Sequence, residues 1–247
     1  MNVGLIYNGK SPTQGGGFTF QEELLKHVEL INDKNISFTL ICNKKIPSAF
    51  VEKQKKCFKK IIILNRNLID KFNENLIRNF HIISERSYYQ SKLDKICLEN
   101  KVDLVIFLDD IHTIYTRFPF VTIVYDIDHI KYPFFPEYSK NFNWHKKENS
   151  LGSHLRRASG IISGTNYGIS QIRQYYGVPE NKLFKIPHPT INLKKDDLDD
   201  NKHIEIFGLE KNKFLFYPAQ FWAHKNHIYI IKAIKILRDK YGKKINV

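Results

Sequence analysis

Val121-Thr122-Ile123-Val124-Tyr125-Asp126-Ile127-Asp128-His129 begins as a β-branched run with almost no polar break and ends in carboxylates and an imidazole. A strand that is apolar at nearly every position has both faces covered, as happens in a parallel sheet sandwiched between helices. Its polar residues fall at the strand's carboxyl end, where open α/β sheets bind ligands. Working outward, similar runs recur at 2–7, 36–42, 61–64, 103–108, 160–163 and 183–186, with this one spanning 121–125. Amphipathic stretches separate them at 18–31, 67–80, 88–100 and 166–176. Strand and helix therefore alternate, which predicts an α/β domain with a Rossmann-like, doubly wound parallel sheet.

That domain is read as residues 1–190, closing on Pro187-His188-Pro189. A polar, acidic stretch over 191–212 has the composition of a linker. Residues 213–247 then open a second domain, with a strand at 213–218, a loop through Trp222 and His224, a helix over 226–240 and a strand stub at 244–247. One strand, one helix and a stub cannot cover a sheet on both faces. The reading is the first βα unit of a second, truncated Rossmann-like domain, and a chain that is a fragment.

The 247 residues carry 39 Lys and Arg against 25 Asp and Glu, a formal charge of +14. This favours anionic partners, and a peripheral contact with the inner face of a membrane is one expectation. No recognisable nucleic-acid module accompanies the charge, so nucleic acid is not expected. Met1-Asn2 lead straight into the first apolar run, and no run approaches the ~18 residues of a spanning helix. Cys42, Cys57 and Cys97 lack CxxC spacing and read as reduced thiols of a cytoplasmic protein.

Gly4-Leu5-Ile6-Tyr7-Asn8-Gly9-Lys10-Ser11 fits the P-loop pattern letter for letter, which offers a nucleotide-binding alternative. A P-loop keeps its variable residues in a loop, whereas Leu5-Ile6-Tyr7 continue a strand. Gly15-Gly16-Gly17 stand immediately before the 18–31 helix and let backbone N–H groups approach an anion. A dinucleotide cofactor is disfavoured, because Asn43-Lys44-Lys45 occupy the place of the ribose-binding acid. At the end of 121–125, Asp126 and Asp128 could grip a metal against a diphosphate. Alternatively, Asp126 and His129 could orient a sugar or handle a proton, or the group could simply cap the next segment. Asp109, Asp110 and His112 end the neighbouring strand and would line the same crevice.

Three stretches, in order, resemble family 4 of the glycosyltransferases, in its mannosyl- and rhamnosyl-transferring branch. Residues Val124 to Pro133, VYDIDHIKYP, are similar to the family segment V-H-D-L-Q-H-L-x-Y-P. Residues 157–166, with Tyr175-Tyr176-Gly177-Val178-Pro179 and 182–187, resemble its strand, Ser-rich turn, helix and returning strand. Phe216 to His227, FYPAQFWAHKNH, resembles the entry to the donor domain. The resemblance implies two facing Rossmann-like domains (the GT-B fold) and transfer of a hexose from a nucleotide sugar with retained configuration and no metal. The acceptor would be a glycan or lipid-linked molecule of surface-polysaccharide assembly. It further implies donor-phosphate contacts at Gly15, Gly16, Gly17, Lys225 and Gln220. Asp126 and His129 would be catalytic, and Tyr125, Asp109 and His112 would face the acceptor. Tyr125 stands where the family usually has His, and Gln220 near where many members have Arg. With most of the donor domain absent, little activity is expected of the chain alone; a non-catalytic glycan- or membrane-binding piece is the remaining alternative.

Overall fold

The computed structural model describes residues 1–9, 16–43, 50, 52, 54, 57–79, 90–109, 114–189, 204, 206–210 and 213–246, with only the backbone at 77–79. The sheet strands are β1 (Asn2–Tyr7), β2 (Ser37–Cys42), β3 (Lys60–Ile63), β4 (Leu104–Phe107), β5 (Phe120–Val124), β6 (Gly160–Ser163) and β7 (Leu183–Lys185). They form one seven-stranded sheet in the order β3-β2-β1-β4-β5-β6-β7, parallel at every pairing. The winding reverses between β1 and β4, so a crevice opens beyond their carboxyl ends. This is the α/β Rossmann-like architecture that the alternation predicts.

Side chains alternate across the strands and feed a core on each face. On one face Val3, Leu5, Tyr7, Leu40 and Cys42 pack with Leu25 of helix α1 (Gly16–Val28). On the other, Ile6, Ile41, Phe107 and Phe120 pack with Leu93, Leu151, Leu155 and Ile172. Gly4 is needed for close packing, since a Cβ there would stand 3.1 Å from Val102 Cγ1. Further along lie α2 (Leu68–Asn79), α3 (Lys92–Glu99), the short α4 (Asp128–Lys131) and α5 (Pro136–Ser139), α6 (Asn143–Arg157), α7 (Asn166–Tyr176) and α8 (His227–Tyr241). α3 starts with a reciprocal capping box between Ser91 and Asp94. α7 starts on Thr165, whose hydroxyl accepts from the Gly168 N–H at 2.9 Å, and stops at the left-handed Gly177.

Two differences from the sequence reading have physical causes. α6 was not expected: its only core aliphatics are Leu151 and Leu155, and it otherwise packs through small Ser150, Gly152 and Ser153 and the His154 ring, which leave little hydrophobic periodicity. The strand expected at 213–218 is reduced to a single parallel bridge between Phe214 and Asn246.

Contacts divide the chain into two compact units. One holds Met1–Lys131 and His145–Thr190, and the other Tyr132–Trp144 and Ile191–Val247. In the second unit, Glu137 of α5 accepts from the His224 backbone N–H at 2.9 Å and also contacts the His224 ring. Most of the 191–212 segment lies outside the described residues. No described helix is long and apolar enough to cross a membrane.

Candidate functional site

The carboxyl edge of the sheet carries an ordered polar row. Arg66, just beyond β3, donates to Asn43 Oδ1 at 3.0 Å. Asn43 donates to Asn8 Oδ1 at 3.2 Å, and Asn8 donates to Asp109 Oδ2 at 3.1 Å. The row crosses the ends of β3, β2, β1 and β4 in their spatial order. The Arg66 guanidinium is itself held by Glu74 at 2.7 Å in a nearly sealed pair.

At the end of β5, Tyr125 donates its hydroxyl to the Leu108 carbonyl at 3.1 Å. Its ring meets Phe20 edge-on at 5.1 Å, and His188 packs against Phe20 at 4.7 Å and Tyr125 at 5.8 Å. Phe20 sits one turn into α1, so the glycine-led start of that helix adjoins Tyr125. His188 lies close over Gly164, where a Cβ would come within 2.9 Å of Nε2. The three rings form a wall of the kind that stacks on apolar faces of ring-shaped ligands.

Asp126 follows directly. Its Oδ1 accepts from Lys147 Nζ at 2.7 Å and from the Asp128 N–H at 3.2 Å, an Asx-turn that launches α4. Burial opposes ionisation of this carboxyl, but the Lys147 ammonium and the Asp128 N–H, with His129, together outweigh it and hold the group below the usual carboxylate range. Asp126 is thus a fixed anion with its side chain 44% exposed, suited to accept from a hydroxyl.

His129 differs from expectation. Its ring is fully enclosed, so it does not meet solvent as a sugar-orienting or proton-handling group would. Nε2 lies 3.1 Å from Glu148 Oε2, which also accepts from the Tyr176 hydroxyl at 2.8 Å. A carboxylate only accepts, so Nε2 carries the proton. Burial lowers the imidazole's pKa against the opposing pull of Glu148 and keeps the ring neutral. Burial and Glu148 together raise the Tyr176 hydroxyl and keep it a donor. This buried network fixes α4, and with it Asp126, against α6 and α7.

Asp109 is buried at the end of the polar row. Gly16 and Gly17 form the first turn of α1, while Gly15, His112, Asp110, Lys10 and Ser11 lie outside the described residues. In the second unit, Lys225 is exposed and its carbonyl accepts from Tyr217, while Gln220 is exposed and its carbonyl accepts from the Trp222 N–H. Leu5, Ile6 and Tyr7 all belong to β1, which leaves the P-loop pattern without its loop. No cluster of three or more metal-ligating side chains exists among the described residues. The sequence reading missed Phe20, Lys147, Glu148 and His188. For Lys147 and Glu148 a signal existed: they share a helix face with Leu151 and Leu155 at spacings of three to four.

The sequence matches no family model and no curated protein. Among solved structures it is similar to a glycosyltransferase from Rickettsia africae ESF-5, at 16% identity and a TM-score of 0.44, over 86% of this chain and 51% of that one. It is similar to the lipopolysaccharide outer core galactosyltransferase WaaB in its apo form, at 15% identity and a TM-score of 0.42, over 77% and 46%. A UDP-GlcNAc 2-epimerase from Neisseria meningitidis, bound to UDP-GlcNAc, gives 10% identity and a TM-score of 0.42, over 75% and 46%. The chain spans about half the length of the solved structures it matches. Similarity at this level assigns neither an activity nor a substrate.

Proposed function

We propose that this chain supplies the acceptor-side Rossmann-like unit of a GT-B glycosyltransferase resembling family 4. In this reading a hexose moves from a nucleotide sugar to a glycan or lipid-linked acceptor, with retained configuration and without a metal. The observation that carries it is Asp126, an anchored carboxylate that directly follows Tyr125, whose ring packs with Phe20 and His188. An anion that accepts from hydroxyls, next to aromatic faces, suits a sugar better than a phosphate. Lys225 is assigned to the donor diphosphate, where a flexible ammonium serves as a point charge. Gly16 and Gly17 present backbone N–H groups at a helix start, the usual partner of a phosphate.

The test is nucleotide release from a panel of UDP-, GDP- and dTDP-hexoses with chelator present, alongside calorimetric binding of the same panel. Binding is expected to weaken about tenfold or more in Lys225→Ala, the loss of one charge-assisted contact. Little turnover is expected of the chain alone, so Asp126→Asn is read in the same calorimetry, where binding is expected to weaken about tenfold with the fold intact. If no nucleotide sugar binds, or if both variants keep full affinity, the reading fails. The P-loop alternative would instead show Mg²⁺-dependent ATP hydrolysis lost in Lys10→Ala, an outcome that the strand conformation of Leu5 to Tyr7 opposes.

A further inference from the structure

Helix α8 of the second unit is rich in isoleucine, yet its outer face lies in water. Ile230, Ile234 and Leu237 form one stripe, half-buried at spacings of four and three. A helix that packs through one stripe is normally polar elsewhere. Here a second row runs along the other side at four-residue spacing, Ile228, Lys232, Ile236 and Lys240. Tyr229 and Ile231 flank that row, and with Ile228 and Ile236 they are half or more exposed. Phe221 is 92% exposed, and with Trp222 and Ile228 it borders an open cavity of about 700 Å³ at the start of the helix. Asn141 and Asn143 border the same cavity. Between them Phe142 stands at a φ of 57°, which a bulky residue rarely adopts, with its ring exposed.

Charge decides what covers such a surface. Residues 225–244 hold seven Lys and Arg and one acid, Asp239, which already pairs with Lys235 and Arg238. The other five cations have no acid left in this stretch. Two copies of the chain would set these cations against one another, which opposes self-association through this face. A nucleic acid would meet the cations but leave the isoleucines in water. A bilayer with anionic headgroups satisfies both. Isoleucine and phenylalanine side chains enter the acyl boundary, while lysine stems lie along apolar surface and keep their ammonium groups among the headgroups. Tyr229, Tyr241 and Trp222 carry the amphipathic rings that collect at that level. With 15 residues α8 is short of the ~20 that span a bilayer, so it would lie in the interface plane.

We propose that the outer face of α8, together with Phe142, Phe221 and Trp222, docks the second unit on an anionic lipid bilayer. Insertion of apolar side chains and attraction to headgroups supply the two signals that stable peripheral binding needs. This contact is independent of glycosyl transfer and is measured without a nucleotide sugar.

The experiment is flotation of the full chain with phosphatidylcholine vesicles, with or without about 30% phosphatidylglycerol, at about 0.15 M salt. Tryptophan emission is followed in parallel. The chain has 2 Trp, Trp144 and Trp222, both in the second unit, and Trp144→Phe leaves Trp222 as the reporter. Anionic vesicles are expected to bind the chain about tenfold or more tightly than neutral ones, with blue-shifted emission. Ile228→Gln combined with Ile236→Gln, which keeps helix propensity, should weaken binding about tenfold or more. Lys232→Gln combined with Lys240→Gln should weaken it about fivefold for each cation removed. Circular dichroism checks that the variants keep the wild-type helix content; should the isoleucine pair lose it, the exposed lysine pair decides. The proposal is overturned if no vesicle binds by about 2 mM lipid, or if neutral vesicles bind as tightly as anionic ones. It is also overturned if both double variants bind like the wild type. Poly-glutamate bound more tightly than the anionic vesicles would assign the face to an acidic protein instead. A dimer that the isoleucine pair dissociates, in a chain that does not float, would assign it to a second copy; both results sink the bilayer.

Discussion

In the unit built from Met1–Lys131 and His145–Thr190, the apolar residues form two cores on the faces of the sheet, and every buried hydrophobic residue described in the chain lies there. In the unit built from Tyr132–Trp144 and Ile191–Val247, α8 has no buried residue at all, although Ile228, Tyr229, Ile231 and Ile236 give it as apolar a composition as α3 or α7. Local sequence sets helix formation in both. Only the first unit supplies the opposing surface that turns an apolar stripe into stability, since helix stability in proteins comes chiefly from packing. The candidate site accordingly stands on the cored unit, where its side chains are held in fixed geometry.

Hydrogen exchange offers the widest test of that contrast. Amides of β1 and β4 should exchange only through global opening, at least about a thousandfold slower than those of α8, which lack a packed face. Equal protection in α8 would break the comparison. Truncation probes the same contrast energetically. Phe120→Ala should cost about 3–5 kcal/mol in denaturant unfolding, and Ile231→Ala, at 64% exposure, less than about 0.5 kcal/mol. Within the cored unit, two glycines sharpen the picture with opposite signs. Gly168→Ala forces a methyl against the Ser163 hydroxyl and should cost about 1–3 kcal/mol. Gly152→Ala, in the interior of α6, meets only Glu148 Oε1 at 3.5 Å and should gain about 0.4–1 kcal/mol from reduced unfolded-state freedom.

The smallest effect is one of pH. Burial lowers the pKa of His129 in the folded state, so below its ordinary value of about 6.5 the unfolded chain takes up the proton more readily. The stability due to the neutral ring is fully present above that value and is lost as pH falls from about 6.5 toward the lowered folded pKa. Thermal melts between pH 7.5 and 5 should therefore show a slope that flattens in His129→Gln. An unchanged slope would show that the ring is not the titrating group.

The sequence made the sheet legible because its strands are buried on both faces and read as plain apolar runs. Asn2–Tyr7 and Gly160–Ser163 come out residue for residue, and the others shift by one position at an end or at both. α6 stayed hidden because, apart from Leu151 and Leu155, it packs through serine, glycine and one histidine, which carry no hydrophobic signal. At the candidate site, Asp126 and Tyr125 were legible from their position at a strand end. Their partners were not, because Lys147, Glu148, Phe20 and His188 come from elements that only the fold brings close. His129 misled for a related reason: a histidine beside two aspartates looks reactive in one dimension, whereas the helix packed above it seals it away. At 213–218 a good strand composition fell short of a strand, since a ladder needs a neighbour as well as propensity.

The amide row from Arg66 to Asp109 runs in one direction. Each asparagine takes a hydrogen bond on its oxygen from the β3 side and gives one from its nitrogen toward β4. Neither carboxamide can rotate by half a turn without setting like groups against each other at two contacts, so the fixed charges at the ends lock the dipoles head to tail. The lip of the sheet therefore has a fixed direction across the strands, running from the Arg66 guanidinium to the Asp109 carboxylate.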